Sequence, residues 1–178
     1  MSRLTTIKPE DATGSVAEIF GIIKKSVGRV PNGYAVIGSQ SDDALTAALA
    51  LDAAVSRSTL GKVDVETIKL VVSELAGCDY CLAAHMFIGR MSGLAPQTMM
   101  QIRAGQPTGD AKRDALTSYV RTLVTTKGTV SGEVIDAVRA WGYTERQLIE
   151  INLAIASIAF SNLVNRVNDT IVDFPAVD

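Results

Sequence analysis

Ser73-Glu74-Leu75-Ala76-Gly77-Cys78-Asp79-Tyr80-Cys81-Leu82-Ala83-Ala84-His85 is the stretch on which the architecture of this chain turns. A helical pattern that Asp64 can cap reaches Ala76 and breaks at Gly77. A further helical segment then carries both cysteines and the only histidine of the 178 residues, ending near Gly93. If the two helices fold back on each other about Gly77, Glu66 and His85 lie about 16 and about 12 Å from the turn along the two axes and can meet. A straight helix through Gly77 would leave Glu66 more than about 20 Å from Cys81. Glu74, nearer to Cys78 in sequence, is the competing carboxylate, and spacing alone does not choose between them.

Outward from this stretch, nearly every segment shows helical spacing bounded by caps. No run of β-branched residues alternates apolar with polar, so the fold class is predicted to be all-α. Val16, Ile19, Phe20, Ile23 and Val27 mark one amphipathic helix, ended by Gly28 and a turn at Pro31-Asn32-Gly33. A second is predicted from Ser41-Asp42-Asp43 to about Leu60, and a short one spans Pro96 to Ala104. Gly105 to Gly109 reads as loop; helices ending at Gly128 and Gly142 follow, the second capped by Ser131. Thr144-Glu145-Arg146-Gln147 is a capping box. The helix it opens, Leu148 to about Val167, is apolar around most of its circumference, which predicts a central position or burial between subunits. Asn162, Asn165 and Asn168 read as a solvated or capping stripe, and Trp141 as a core anchor.

Composition narrows the function. With 47% hydrophobic and 20% charged residues the chain can build a substantial core, and its length suits one domain. Nineteen acidic against 17 basic residues, with no Lys/Arg run, argue against a nucleic-acid partner. Residues 1–9 lack the apolar core of a signal peptide. Glu150, Asn152, Ser157, Ser161 and Asn162 interrupt the apolar stretch from Leu148 to Val164, so a soluble, cytoplasmic protein without a membrane partner is expected. No Gly-rich loop follows a strand, so no nucleotide cofactor is expected.

In a reducing compartment, two cysteines this close are catalytic, redox-sensing or metal-binding rather than a structural staple. If Asp79 or a neighbour caps the helix, Cys81 falls in its first turn, where free N–H groups favour the thiolate. A drop in pKa from about 8.5 to about 6.5 raises the thiolate fraction at pH 7 about 25-fold. The accompanying loss of nucleophilicity returns about 8-fold of that, leaving about a threefold gain. Fast attack on a peroxide therefore needs an acid for the departing oxygen and a base for the thiol proton, roles open to His85 and a carboxylate. Structural zinc is the main alternative: Cys78, Cys81 and His85 supply three ligands, which Glu66 or Glu74 would have to complete. Met86, Met91, Met99 and Met100 lie close to the motif, as core filler or as the lining of a pocket for an organic hydroperoxide.

Glu66, eleven intervening residues, Cys78-x-x-Cys81, three more and then His85 resembles the signature of the AhpD-like alkylhydroperoxidases of the carboxymuconolactone decarboxylase superfamily. Pro31-Asn32, Leu49-Ala50-Leu51, Ser73 to Cys78 and Asn165-Arg166 extend the likeness to the peroxidase-related branch, over roughly residues 16–167. The resemblance implies a single all-helical AhpD-like bundle over 1–178 that assembles as a homo-oligomer, trimer or hexamer. It implies Cys81 as the peroxidatic thiol, Cys78 as the resolving thiol, and Glu66 and His85 as the proton relay. It implies a hydroperoxide substrate, an external dithiol or thioredoxin-like reductant, and no cofactor. A disulfide oxidoreductase or redox sensor on the same scaffold, or a carboxymuconolactone decarboxylase-like enzyme, is the alternative. One departure stands out: family members with peroxidase activity often carry a histidine between the cysteines, whereas here Tyr80, with an ordinary pKa near 10, is a poor proton carrier at pH 7.

Overall fold

The glycine at position 77 adopts the left-handed conformation (φ 63°, ψ 41°) that a side chain resists, and it folds the chain back. In the computed structural model, which describes residues 2–175, helices α4 (Lys62–Ala76) and α5 (Asp79–Met91) pack side by side across this turn. Gly61 rather than Asp64 occupies the α4 N-cap, and Asp64 lies in the first turn, where its charge opposes the helix dipole favourably. The Cys78 N–H donates to the Ser73 carbonyl and closes α4, while the Cys78 side chain begins α5. One residue thus ends one helix and starts the next.

Around this hairpin lie α1 (Gly14–Val27), α2 (Asn32–Gln40), α3 (Asp42–Ser56), α6 (Pro96–Ala104), α7 (Ala111–Thr125), α8 (Gly132–Ala140) and α9 (Glu145–Asn168). A single 3-10 turn at Pro9–Asp11 precedes them, and the described residues contain no strand. α4 is central, packing on α5, α6, α7 and α9; its Ile68, Leu70 and Val71 are fully buried. Phe20, Ile23, Val36, Ile37 and Leu45 form a second cluster among α1, α2 and α3, and Phe160 and Val164 of α9 join its edge. α9 therefore bridges both clusters. By length and composition it could cross a membrane, yet Ile151, Ala154 and Ile158 are part of the main core.

α2 was not foreseen in the sequence, where Pro31-Asn32-Gly33 reads as a turn. Pro31 instead precedes the first helical residue, and the helix is buried on several sides, so it has little amphipathic signature. Gly38 permits that burial: a Cβ there would stand 2.7 Å from the Phe20 ring and 2.8 Å from Leu45 Cδ2. α3 stops at Ser56, short of the expected Leu60, because Thr59 turns to give its N–H and hydroxyl to Glu150 on α9. Trp141 is half exposed rather than a core anchor, and its neighbour Tyr143 fills that place at 2% exposure.

The asparagine stripe also departs from expectation. Asn162, Asn165 and Asn168 are 2%, 4% and 1% exposed, so they form a buried seam. Asn162 Oδ1 accepts from the Ser73 hydroxyl on α4. Asn168 Oδ1 accepts the Leu4 N–H, which ties the N-terminal segment to the end of α9. Asn165 reaches the cysteine motif.

Candidate active site

Cys78 is the N-cap of α5, so its sulfur accepts the backbone N–H of Cys81 at 3.3 Å. The two sulfurs lie 2.6 Å apart, both buried and both free. This arrangement reverses the ionisation expected from the helix start. The hydrogen bond from the Cys81 thiol holds Cys78 below the ordinary thiol range; burial opposes this and the Cys81 N–H adds to it. Cys81 is pushed well above the ordinary range by that same bond, by burial, and by the charge on Cys78. The Asn165 amide and the Lys69 ammonium pull weakly the other way. The cap that favours a thiolate belongs to Cys78, one position before the Asp79 expected to hold it.

The hairpin brings Glu66 Oε2 within 2.8 Å of His85 Nδ1, with both side chains buried. This contact chooses between the two carboxylates, since Glu74 points to the surface and pairs with Arg103 at 2.7 Å. A carboxylate on Nδ1 orients the imidazole and leaves Nε2 as its proton-carrying edge. His85, one helical turn beyond Cys81, lines the same cavity. Among the described residues no three His, Cys, Asp or Glu side chains converge as a metal-binding group.

That cavity has a volume of about 710 Å³ and is bordered by Cys81, whereas Cys78 does not line it. Its walls are largely apolar, including Ile37, Phe87, Ile88, Met91, Ile158 and Phe174. Of the four methionines near the motif, only Met91 takes part; Met86 and Met99 are core, and Met100 is exposed. One wall is polar. Asp52 accepts from the Tyr34 hydroxyl at 2.8 Å, the Ser157 hydroxyl at 2.7 Å and the Lys69 ammonium at 3.2 Å. Burial opposes ionisation of Asp52, but Lys69 and the two hydroxyls outweigh it and hold its carboxyl below the usual range. Burial and the Asp52 charge push Tyr34 well above the usual tyrosine range.

Tyr80, between the cysteines, is a clasp. Its hydroxyl accepts the Gly33 N–H at 2.8 Å, and its ring meets Phe174 edge to face at 5.6 Å between centroids. Burial raises its pKa well above the ordinary value. The residues after α9 are held there too: Asp173 pairs with Arg29 and accepts the Asn32 N–H, and Asn32 Nδ2 donates to the Ile171 carbonyl. Tyr34, Asp52, Lys69 and Asn165 were missed by sequence reasoning as site residues. They come from α2, α3, α4 and α9 with no shared spacing, and only the Asn165-Arg166 likeness pointed to one of them.

Residues 42–117, from α3 into α7, match the model of the carboxymuconolactone decarboxylase family, a span that contains Glu66, both cysteines and His85. The fold superimposes on the AhpD core of an uncharacterized peroxidase-related protein from Ralstonia eutropha JMP134 with a TM-score of 0.86, at 19% identity over 97% of this chain and 92% of that chain. The chain has the AhpD-like fold, and its residues 42–117 are similar to the carboxymuconolactone decarboxylase family. A peroxidase-related protein from Silicibacter sp. TM1040 matches this AhpD-like fold with a TM-score of 0.82, at 20% identity over 96% and 91% of the two chains. The debrominase Bmp8 in complex with 2,3,4-tribromopyrrole gives 0.80, at 20% identity over 97% and 94%. Comparison with curated proteins gives no match.

Proposed function

We propose that this protein is a soluble, cytoplasmic thiol peroxidase that reduces alkyl hydroperoxides through Cys81 and is recycled by an external dithiol. The observation that carries this reading is a dithiol at 2.6 Å whose Cys81 faces an apolar cavity beside a Glu66-oriented His85. Cys81 passes its proton to the Cys78 thiolate, and its own thiolate attacks the terminal oxygen of the hydroperoxide. The O–O bond breaks, an S–O bond forms, and Cys81 becomes a sulfenic acid, oxidised by two electrons. The departing alkoxide takes a proton from His85, whose charge Glu66 balances. Cys78 then attacks the Cys81 sulfur; hydroxide leaves, takes the Cys78 proton by way of His85, and departs as water. A dithiol donor reduces the resulting disulfide and is itself oxidised.

The inverted ionisation suits this sequence, since Cys78 serves first as the base for Cys81 and then as its resolving partner. The test is consumption of tert-butyl hydroperoxide with a dithiol donor. Turnover that disappears in Cys81→Ser supports the assignment, and unchanged turnover in that variant overturns it. The likeness to the debrominase motivates a second reading, because a dithiol that becomes a disulfide supplies the two electrons that reductive removal of bromide requires. Bromide release from 2,3,4-tribromopyrrole in a parent protein inert to hydroperoxide would favour it.

A further inference from the structure

Asn165 is 4% exposed and lines the cavity at the Cys81 sulfur. Its amide nitrogen has two acceptors, the Ser161 carbonyl of its own helix at 2.9 Å and Cys81 Sγ at 3.6 Å. Both demand N–H, so the opposite flip of the amide would set oxygen against the Ser161 carbonyl. The other arm, Oδ1, is buried and has no hydrogen-bond partner. Gly33 closes one side of the amide, where a Cβ would stand 3.2 Å from Oδ1. An orphaned acceptor buried this way costs free energy unless a ligand completes it.

Resting on the peroxidase reading above, we propose that Asn165 Oδ1 receives the terminal O–H of the hydroperoxide and makes Asn165 a catalytic residue. One planar amide would then touch both reacting atoms, the Cys81 sulfur through Nδ2 and the oxygen it attacks through the O–H held on Oδ1. The stoichiometry favours this contact. The hydrogen on the terminal oxygen is not transferred when the S–O bond forms; it remains in the sulfenic acid, so the same bond to Oδ1 persists from substrate to product. The other oxygen, which leaves as alkoxide, must lie away from the sulfur along the line of attack, within the cavity that His85 and the apolar walls also line. Such a site favours monosubstituted peroxides, R–O–O–H, over dialkyl peroxides, which have no O–H to give.

The decisive experiment compares two reactions of Cys81 in a Cys78→Ser background, where serine preserves the helix cap and leaves one thiol. Iodoacetamide reports thiolate availability alone, and tert-butyl hydroperoxide, with the sulfenic acid trapped by dimedone, reports the proposed step. In Asn165→Ala the ratio of peroxide to alkylation rate constants should fall about 10- to 100-fold. In Asn165→Asp, which keeps an acceptor, both rates fall with the thiolate fraction and the ratio stays within about threefold of the parent. An unchanged ratio in Asn165→Ala, or one that falls as far in Asn165→Asp, overturns the role of Oδ1. If Asn165→Ala does not fold, Asn165→Ser carries the same comparison. A parent that iodoacetamide alkylates but hydroperoxide leaves untouched overturns the peroxidase reading itself, and this proposal with it.

Discussion

The Cys78 sulfur caps the helix on which Cys81 stands, so the two thiols share a proton from unequal positions. Titration of the reduced protein, followed by ultraviolet thiolate absorbance, should show one ionisation below the ordinary cysteine value near 8.5 and a second well above it. Removing Cys78 as Cys78→Ser should leave a single transition between the two. Two indistinguishable transitions near the ordinary value would refute the shared-proton picture.

Glu66 Oε2 stands 2.8 Å from His85 Nδ1 with both side chains buried, and the proposed mechanism gives it the task of orienting the imidazole. Glu66→Gln keeps the shape and removes the charge, so kcat/KM for hydroperoxide should fall about 10- to 100-fold with little change in the thermal unfolding midpoint. Alkylation of Cys81 should change by less than about threefold. Equal losses in both reactions would show that Glu66 acts on the thiol rather than on the leaving oxygen.

Tyr80 is assigned a structural clasp rather than a proton relay. Tyr80→Phe deprives the buried Gly33 N–H of its acceptor and should destabilise the fold by about 1 kcal/mol, while peroxide turnover stays within about threefold. Tyr80→His also loses the contact with Phe174 and should cost about 2 kcal/mol in urea unfolding. A collapse of turnover in Tyr80→Phe, at unchanged stability, would assign the proton to the phenol instead.

Asp52 contributes to the pH dependence of stability. Its folded pKa lies below its unfolded value near 3.9, so the folded state binds fewer protons between the two values and stability rises with pH there. The contribution is fully present above the unfolded pKa and is lost as pH falls through the folded one. Asp52→Asn leaves the nearly buried Lys69 ammonium without its counter-charge and should destabilise by roughly 1 to 3 kcal/mol at neutral pH. Urea midpoints for parent and variant should converge as pH falls through the folded pKa of Asp52; a difference that stays constant as the carboxyl is protonated would contradict the linkage.

α9 presents Ile149, Leu163 and Val167 to solvent at 69%, 68% and 60% exposure. A second copy of the chain is the expected cover, in keeping with the trimer or hexamer that the family resemblance implies. Light scattering at micromolar concentration should give a multiple of the 18.8 kDa chain mass, and Leu163→Lys should shift it toward monomer. A parent that scatters as a monomer would sink this expectation.

What the sequence disclosed and what it concealed follow from the range of each interaction. Gly77 and the caps at Ser41 and Thr144 act within a few residues, so the helices they bound were legible. The Glu66–His85 pairing was legible once the turn at Gly77 fixed the geometry. The asparagine seam was not: polar residues three apart look the same whether they face water or face Ser73 and Cys81, and only the packing of α9 on α4 and α5 decides. Asp52 and Tyr34 were hidden for a similar reason, since an Asp within an Ala/Leu-rich helix carries no local sign of a lysine on the next helix. α2 was obscured by burial on several sides, which erases the periodic contrast that marks an amphipathic helix.

The turn at Gly77 also sets the order in which the chemistry can assemble. Glu66 and His85 are 19 residues apart, whereas Asn165 meets Cys81 across 84. Closing the longer loop costs only about 1.3 kcal/mol more in chain entropy, but it requires α9 to have docked. A chain that has formed only its central hairpin already contains the dithiol and the Glu66–His85 pair, yet lacks the amide against the sulfur. The contact between Asn165 and Cys81 is thus a property of the completed fold.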